Sequence, residues 1–286
     1  MGRVEGKVVF ITGAARGQGR AHALRLAAEG ADIIAVDSLE DIATNEYPMS
    51  RQSDLDETVK LIEALDRRVV ALKADVRDRA GLRAALEQGI TELGKLDAVV
   101  AQAGIAPLGA PDPQAFLDAV QVDFVGVVNA VEAALPHLAD GASIVATGSL
   151  AAMLPSTTDN PAAGPGGQGY TWAKRAVASF INDLALVLAP RSIRANAVHP
   201  TNVNTHMLNS DIMYKLFRPD LPNPTREDAL PAFPAMNAMP VGFVEPDDIS
   251  QAVLFLVSDE SRFVTGMQLR IDAGGYLKAR PQQPQF

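Results

Sequence analysis

The sequence lacks cysteine and has fewer basic than acidic residues. With no thiol among 286 residues, the chain can form no disulfide and offers neither a thiolate nucleophile nor a cysteine ligand for a metal. Aspartate and glutamate together number 34 against 25 lysines and arginines, which gives a formal net charge of −9 at pH 7. Because nucleic-acid binding needs a basic surface that replaces phosphate counterions, no nucleic-acid partner is expected.

Long apolar runs are also missing. The most apolar stretches, residues 33–36 and 98–101, are far shorter than the ~20 residues that span a bilayer. Residues 1–7 alternate polar and apolar side chains and contain no apolar core of a signal peptide. We therefore expect no membrane-embedded segment and no export signal, and we predict a cytoplasmic location.

Short apolar runs alternate along the chain with longer segments of helical spacing. Continuous apolar strands suit a sheet that is covered on both faces. The predicted strands are 8–12, 32–36, 69–73, 97–101, 143–147, 194–198 and 267–271. The predicted helices are 20–29, 55–65, 78–93, 113–138, 171–188 and 247–257. This pattern predicts an α/β fold in one domain over residues 1–286, with a doubly wound, seven-stranded parallel sheet.

Two stretches interrupt the alternation. Residues 155–169 contain Pro161, Pro165 and four glycines, which predict a loop inserted between a strand end and a helix. Residues 205–246 are rich in Met, Phe and Pro, and form either a mobile apolar lid over a substrate or an oligomer contact. The lid is the favoured interpretation because long irregular segments inside compact domains usually serve function.

The turn after the first strand is rich in glycine. Residues 12–19 read Thr-Gly-Ala-Ala-Arg-Gly-Gln-Gly, so that Gly13, Gly17 and Gly19 precede a predicted helix. Glycine permits a tight bend and a close approach to a ligand, and the helix N-terminus presents free N–H donors to an anion. The turn predicts a pyrophosphate site, although a glycine-rich turn without a ligand would have the same pattern.

Acidic residues follow the next two strands. Asp37 ends the second strand, 24 residues beyond Gly13, where a carboxylate can accept hydrogen bonds from adenosine ribose hydroxyls. This favours NAD over NADP, because a 2′-phosphate would meet a negative charge that Arg16 could only partly offset. Asp37 could instead be a simple turn residue. Asp75 and Val76 follow the third strand at the same sheet edge and could flank an adenine ring.

Tyr170 and Lys174 are spaced to lie on one face of a helix, and Ser149 lies at the carboxyl end of the fifth strand. Removing hydride from an alcohol carbon requires that the hydroxyl proton also leave, and a phenol is a poor base at its usual pKa of ~10. We expect Lys174, aided by the positive charge of an oxidised nicotinamide, to lower the pKa of Tyr170, and Ser149 to hydrogen-bond the substrate oxygen. The alternative is a helix tyrosine, its solvated lysine neighbour and a turn serine.

In this order, the motifs resemble those of the classical short-chain dehydrogenase/reductase family. The resembling residues are Thr12 to Gly19, Asp75, Ala103, Gly104, Ser149, Tyr170, Lys174, His199, Pro200, Thr205 and the terminal run from Asp272 to Gly275. The resemblance implies a single-domain Rossmann fold, an NAD cofactor, an alcohol or ketone substrate and a homotetramer. It also implies cofactor contacts by Arg16, Gln18, Val203 and Thr205.

More narrowly, the chain is similar to the mycofactocin-linked, carveol dehydrogenase-like branch. The similarity lies in residues 2–7, Gly-Arg-Val-Glu-Gly-Lys, in residues 198–205, Val-His-Pro-Thr-Asn-Val-Asn-Thr, and in the insertion between Ser149 and Tyr170. It implies that NAD is held tightly and reoxidised in place by a redox peptide cofactor. Apolar cyclic alcohols such as terpenoids or steroids are then the expected substrates.

Two positions depart from the family pattern, which has asparagine at both. Gln102 keeps an amide one methylene longer, whereas Asp123 replaces the asparagine that is associated in the family with a helix kink and a water-mediated proton relay to lysine. A carboxylate could pair with Lys174 and divert it from Tyr170. The alternative function is therefore a catalytically impaired NAD-binding sensor or scaffold. A sugar-nucleotide epimerase is disfavoured by the glycine spacing and the modest length.

Overall fold

The computed structural model describes residues 2–154 and 161–279. Its centre is one seven-stranded sheet in the order β3-β2-β1-β4-β5-β6-β7, in which every neighbouring pair of strands is parallel. The order reverses between β1 and β4, as in a doubly wound sheet. The predicted fold class is confirmed.

Apolar sequence runs form the strands. The strands are β1 Val8–Thr12, β2 Asp32–Asp37, β3 Val69–Lys73, β4 Leu96–Ala101, β5 Leu138–Thr147, β6 Arg194–Pro200 and β7 Gln268–Ile271. Every residue of β1, β2 and β6 is buried, which explains why β1 and β2 are mostly apolar without alternation, whereas β6 includes the buried polar residues Arg194, Asn196 and His199. Each strand matches a predicted one, with ends that differ by up to five residues.

Helices cover both faces of the sheet. They are α1 Gly17–Ala28, α2 Gln52–Glu63, α3 Arg79–Leu93, α4 Gln114–Val120, α5 Gly126–Ala134, α6 Leu150–Met153, α7 Gly164–Leu188, α8 Asp211–Phe217, α9 Arg226–Ala229, α10 Pro246–Val257 and α11 Gly275–Ala279. One core cluster packs α1, α2 and α10 on one face, and another packs α3, α5 and α7 on the other. The strands, and the loops that follow their carboxyl ends, are therefore held by helices packed on both faces of the sheet.

The predicted helix 113–138 is divided. A π-helical turn, Gln121–Val125, separates α4 from α5, and β5 begins at Leu138, so the helical region ends at Ala134. Such π-turns insert one residue per turn and often occur at functional sites. Here the π-turn contains Asp123.

The prediction of a loop over residues 155–169 was wrong at the carboxyl end of that range. Pro161–Ala163 forms a 3₁₀ turn and α7 begins at Gly164, so Tyr170 lies in the second turn of the helix and does not open it. Gly166 allows this early start because a Cβ there would come within 1.9 Å of the Pro107 carbonyl oxygen. Residues 155–160 lie outside the described part of the chain.

The segment 205–246, named here the cap, has its own small core. Buried Leu208, Tyr214, Ala229 and Phe233 form a cluster separate from the two main ones. The two ends of the cap meet at a stem, where Val203 bridges Val244 in parallel. The cap is thus a compact unit attached at one edge of the sheet.

Among the described residues, one helical stretch has the length and apolar composition of a membrane span. It is Gln114–Ala134, with a mean hydropathy of 1.2, and 56% of the window is buried inside the protein. It includes α4, the π-turn and α5, which pack against α7 and α3. A core helix has the same composition, so this stretch is weak evidence for a membrane span.

Candidate functional site

Two connected cavities lie at the carboxyl ends of the strands. The first, named here the cofactor cleft, has a volume of about 130 Å³ and lies around the glycine turn. The second, named here the substrate cavity, has a volume of about 700 Å³ and contains Ser149, Tyr170 and Lys174. Gln18, Gln102, Gly104, Thr205 and Met207 line both cavities, so the two form one continuous site.

The glycine turn places backbone against the cofactor cleft. Gly13 and Gly17 have φ values of +69° and +58°, which side chains rarely allow. A Cβ at Gly13 would lie 2.8 Å from the Ala103 Cα, and one at Gly19 would lie 2.0 Å from the Gly13 carbonyl oxygen. No side chain caps the N-terminus of α1, so its first amides are available to an anion.

Asp37 is buried where β2 ends, at the rim of the cofactor cleft. Its Oδ2 accepts the Ala15 amide at 3.0 Å, and its Oδ1 accepts the Ser50 hydroxyl at 2.5 Å. Each carboxylate oxygen can accept a further hydrogen bond. Asp37 therefore both fixes the glycine turn and remains able to bind ribose hydroxyls.

Asp75 and Val76 also line the cofactor cleft. The Asp75 carboxylate is not free, because the Arg77 guanidinium lies 2.6 Å from its Oδ2. Burial works against the charge of Asp75, but the bonds from Arg77 outweigh it and hold the pKa below its usual range. Sequence reasoning placed Asp75 correctly at this edge but did not anticipate the ion pair.

Gln102 lines both cavities, and its neighbour Ala103 lines the cofactor cleft. Thr12 Oγ1 accepts both of their amides at 3.1 Å, so that the end of β4 is tied to β1. The Gln102 Oε1 accepts the Thr147 hydroxyl and bonds His22 Nε2 at 3.1 Å. Burial lowers the pKa of His22 to about 4, so this network is uncharged at neutral pH.

Ser149, Tyr170 and Lys174 meet in the substrate cavity, as predicted. Lys174 Nζ lies 5.7 Å from the centre of the Tyr170 ring and donates to the Thr147 carbonyl at 2.9 Å. The Ser149 hydroxyl hydrogen-bonds Tyr170, and Ser149 caps α6 by accepting the Ala151 amide at 3.1 Å. A hydroxyl, a phenol and an ammonium group therefore converge on one wall.

The protein's own groups leave the pKa of Tyr170 raised, so Lys174 alone does not give the lowering expected from Lys174 and an oxidised nicotinamide together. Burial raises the pKa of the phenol above its usual value, and the charge of Asp123 raises it further. Lys174 and the Ser149 hydroxyl act in the predicted direction but do not outweigh the burial. The other contribution in that expectation, the positive charge of an oxidised nicotinamide, would act in the same direction as Lys174.

Asp123 lies fully buried beside Lys174. Its Oδ1 is 3.4 Å from Lys174 Nζ and accepts the Ile105 amide at 3.1 Å, while its Oδ2 has no hydrogen-bond partner among the described residues. Gly104 makes room for the pair, since a Cβ there would lie 2.5 Å from the Asp123 Oδ1. Burial, partly opposed by Lys174, raises the pKa of Asp123 to about 6.

The remaining walls of the substrate cavity are mostly apolar. Leu108, Leu150 and Leu154 line it from the sheet edge, and Met207, Met213 and Phe217 line it from the cap. Val203 and Thr205 lie at the start of the cap and also face the cavity. Thr205 lies against the glycine turn, 3.5 Å from where a Cβ of Gly17 would be.

Sequence reasoning missed the connection between β2 and α2, residues 38–51. Tyr47, Met49 and Ser50 from this segment line the cofactor cleft, and the Tyr47 hydroxyl accepts the Ala106 amide at 3.1 Å. Arg16 donates to the Pro48 carbonyl. The length of the segment is the signal that could have revealed it, because most βα loops contain about 2–6 residues.

The residues of the cofactor cleft fit a dinucleotide. Backbone approaches the cleft where a pyrophosphate would need it, uncapped helix amides face the same space, and Asp37 lies where a ribose would be. The buried Gln18 Oε1 has no partner among the described residues and lies where the two cavities join. This unbonded acceptor suits a polar group of a nicotinamide nucleotide.

Comparisons with known proteins agree with this geometry. Residues 13–276 match the family model described as enoyl-(acyl carrier protein) reductase. The chain is 42% identical to (−)-trans-carveol dehydrogenase of Rhodococcus erythropolis, with 97% of this chain and 100% of that protein covered. Two crystal structures share the fold over the full length of those chains. They are carveol dehydrogenase from Mycobacterium avium in complex with NAD, with a TM-score of 0.91, 44% identity and 97% of this chain covered, and a short chain dehydrogenase from Mycobacterium paratuberculosis bound to NAD, with a TM-score of 0.83, 38% identity and 96% covered.

Proposed function

Because the chain belongs to the short-chain dehydrogenase/reductase family, we propose that it is an NAD-dependent oxidoreductase that interconverts an apolar, cyclic secondary alcohol and its ketone. One observation carries the proposal. Ser149, Tyr170 and Lys174 converge in a mainly apolar cavity of about 700 Å³ that opens into the cofactor cleft. A volume in this range accepts a small-molecule ligand, and terpenoid or steroid alcohols are suitable candidates.

The reaction assigns one task to each residue. NAD bound in the cofactor cleft would supply a ring that accepts hydride and, in its oxidised form, a positive charge. Ser149 hydrogen-bonds the substrate oxygen, and Tyr170 takes the hydroxyl proton during oxidation or returns it during reduction. Lys174 stabilises the tyrosinate, and the positive charge of the ring opposes the raised pKa that burial gives Tyr170.

We assign the cofactor to the cleft residues that the sequence singled out. Gly13, Gly17 and Gly19, with the uncapped end of α1, would bind the pyrophosphate, and Asp37 would bind the adenosine ribose. The other contacts of this assignment are Arg16, Gln18, Asp75, Val76, Gln102, Ala103, Gly104, Val203 and Thr205, together with Tyr170 and Lys174 near the nicotinamide. A 2′-phosphate would meet the Asp37 carboxylate, so NAD is favoured over NADP.

We further propose that NAD is retained during turnover and reoxidised in place by mycofactocin, a redox peptide cofactor. The contacts of residues 38–51 support retention, because Tyr47 bonds Ala106 and Ser50 bonds Asp37 along the cofactor cleft. The cap, 205–246, would act as the substrate lid. It is attached at the stem formed by Val203 and Val244, and its apolar side chains line the substrate cavity.

A catalytically impaired NAD-binding sensor or scaffold is the alternative. The buried Asp123 carboxylate favours it, because this charge lies 3.4 Å from Lys174 and raises the pKa of Tyr170. The intact trio of Ser149, Tyr170 and Lys174 favours the enzyme. Asp123 would then slow the reaction without abolishing it.

One experiment separates these functions. The purified protein is analysed by mass spectrometry for retained NAD, and is then given a panel of cyclic secondary alcohols, including (−)-trans-carveol, with an artificial electron acceptor. The proposal predicts retained NAD and acceptor-dependent oxidation of at least one alcohol. Retained NAD without oxidation would favour the sensor or scaffold. Absence of NAD would contradict the proposal of a retained cofactor.

A homotetramer and a cytoplasmic location complete the proposal. Large apolar side chains are exposed at several places, and two of these would serve as interfaces: Leu117 and Trp172 on the packed pair α4 and α7, and Leu186 and Met267 near the end of α7. Exposed apolar groups mark contact surfaces, and two separate surfaces suit a tetramer with two kinds of interface. Analytical ultracentrifugation should give the mass of four chains.

A further inference from the structure

His199 is a buried histidine that the reaction described above does not use. It lies near the end of β6, next to the end of β5, and it is 0% exposed. Its Nδ1 lies 3.2 Å from the Ser149 amide nitrogen, which can donate to it, and 3.1 Å from the Ser149 carbonyl oxygen. On the other side of the ring, Nε2 lies 2.7 Å from the Gln268 Oε1.

The partners of Gln268 determine which nitrogen of His199 has the proton. The Gln268 Nε2 donates to the Ala178 carbonyl at 3.1 Å and to the Asn182 Oδ1 at 2.8 Å. A carbonyl can only accept, so the Gln268 amide nitrogen must face Ala178 and its oxygen must face His199. His199 therefore donates from Nε2. Because burial lowers the pKa of His199, the ring is neutral and has no second proton. Its Nδ1 is then the acceptor of the Ser149 amide, and the Ser149 carbonyl receives no hydrogen bond from the ring.

The position of this ring also explains Gly148. A Cβ at Gly148 would lie 2.3 Å from the His199 Cε1 and 2.4 Å from its Nδ1. The Gly148 amide donates to the Val198 carbonyl at 2.8 Å, so the chain next to Ser149 is held against β6. The ring fills the space that any side chain at residue 148 would need.

A chain of hydrogen bonds consequently links Ser149 to the helix of the other two catalytic groups. It runs from the Ser149 amide through His199 and Gln268 to Ala178 and Asn182 on α7. Tyr170 and Lys174 are on the same helix. The link fixes the Ser149 backbone relative to α7, and with it the distance between the serine and tyrosine hydroxyls.

We propose that His199 is a positioning residue for the reaction, which holds Ser149 in register with Tyr170 by accepting the Ser149 amide at Nδ1. The inference rests on the proposed function, because it names a further residue for the same site. His199 touches neither substrate nor cofactor in this account. Small displacements of a reacting group, of about 1 Å, can reduce a rate by as much as about 100-fold.

Two substitutions separate the two ring nitrogens. The amide of His199→Asn can place an oxygen near the Nδ1 position and accept the Ser149 amide, but it cannot reach Gln268. His199→Gln reaches toward Gln268 but leaves the Ser149 amide without its acceptor. Both variants lose one hydrogen bond and a ring, so each controls for the other in stability.

The assay uses the alcohol of the panel that the wild-type protein oxidises fastest. We expect His199→Gln to lose roughly 10-fold or more in kcat, with KM and NAD affinity changed less than about threefold. His199→Asn should keep kcat within about threefold of wild type. Equal loss in both variants, or no loss in His199→Gln, would overturn the proposal. If wild-type protein oxidises no alcohol, the proposed function itself fails.

A second measurement needs no turnover. Nitrogen-15 NMR of histidine-labelled protein reports which ring nitrogen is protonated, and the His199 signal is identified by its absence from His199→Asn. We expect a proton on Nε2 and none on Nδ1 at neutral pH. A proton on Nδ1 would overturn the assignment of that nitrogen as the acceptor.

Discussion

The cofactor cleft and the substrate cavity each contain a buried aspartate, and the two carboxylates have different hydrogen-bond partners. Asp37 in the cleft has both oxygens bonded, by the Ala15 amide and the Ser50 hydroxyl. Asp123 in the substrate cavity has an oxygen without a partner among the described residues and lies 3.4 Å from Lys174. The first carboxylate is held by the glycine turn and Ser50, and the second by the Ile105 amide and Lys174.

This difference indicates what each half of the site is sensitive to. Glycine backbone and helix amides define the cofactor cleft, so its binding depends on shape and on one satisfied charge. Burial and neighbouring charges set the proton affinities in the substrate cavity, so its chemistry depends on protonation state. Substitutions should therefore change NAD affinity on one side, and rate, pH dependence and stability on the other.

The largest expected effect is that of Tyr170→Phe. Removing the hydroxyl removes the acid–base group, so kcat for alcohol oxidation should fall by about 10³-fold or more, while NAD affinity stays within about threefold. Steady-state kinetics and calorimetric titration with NAD measure the two quantities. Tyr214→Phe, which removes a hydroxyl in the cap, is the matched control and should leave kcat unchanged. Full activity in Tyr170→Phe would refute the assigned mechanism.

The second effect concerns stability. The pKa of Asp123 is about 6 in the folded protein against 3.8 for the free group, so the folded state binds this proton more tightly. Stability from this residue is complete below pH 4 and is lost as the pH rises through about 6, at a cost of about 3 kcal/mol. Asp123→Asn should remove that loss.

Urea unfolding at pH 4.5 and pH 7.5 tests this expectation. The advantage of Asp123→Asn over wild type in free energy of unfolding should grow as the pH rises between the two values. An advantage that stays constant would mean that the carboxyl ionises in the folded state at its ordinary pKa.

On the cofactor side, Asp37→Ala should weaken NAD binding by roughly 10- to 100-fold, since hydrogen bonds to a charged group contribute about 1.5–3 kcal/mol. Titration calorimetry with NAD on protein stripped of cofactor measures this loss. Asp37→Asn keeps an oxygen for the Ala15 amide and should lose less. Unchanged affinity in Asp37→Ala would exclude Asp37 from ribose binding.

The smallest expected effect is a shift of the pH profile. The charge of Asp123 raises the pKa of Tyr170, so Asp123→Asn should lower it. The rise of kcat/KM for alcohol oxidation with pH should move down by roughly half a unit to one unit, and the rate below that rise should increase. A profile that does not move, or moves upward, would show that Asp123 does not limit turnover.

The sequence predicted the fold because its signals are local. Short runs in the sequence indicated all seven strands. The turn from Thr12 to Gly19 indicated the cofactor cleft, because its three glycines stand where the backbone needs glycine. The meeting of Ser149 with Tyr170 and Lys174 was also predicted, because strand ends share one edge of a parallel sheet.

What the sequence did not predict depends on contacts between distant residues. The pKa of Tyr170 is raised by its burial and by the charge of Asp123, and the spacing of Tyr170 and Lys174 in the sequence shows neither effect. The bond from Tyr47 to Ala106 joins residues 59 positions apart, and the chain from His199 through Gln268 joins three elements. The early start of α7 at Gly164 was hidden by prolines and glycines that usually mark loops.

Transfer of deuterium tests the central claim most directly, namely that this site moves hydride between an alcohol carbon and NAD. The protein with NAD is incubated with a panel alcohol labelled with deuterium at the carbinol carbon, and the nicotinamide is examined by mass spectrometry. The account predicts one deuterium in the reduced nicotinamide formed by wild-type protein and none with Tyr170→Phe. Bound NAD that acquires no deuterium from any alcohol of the panel would contradict it.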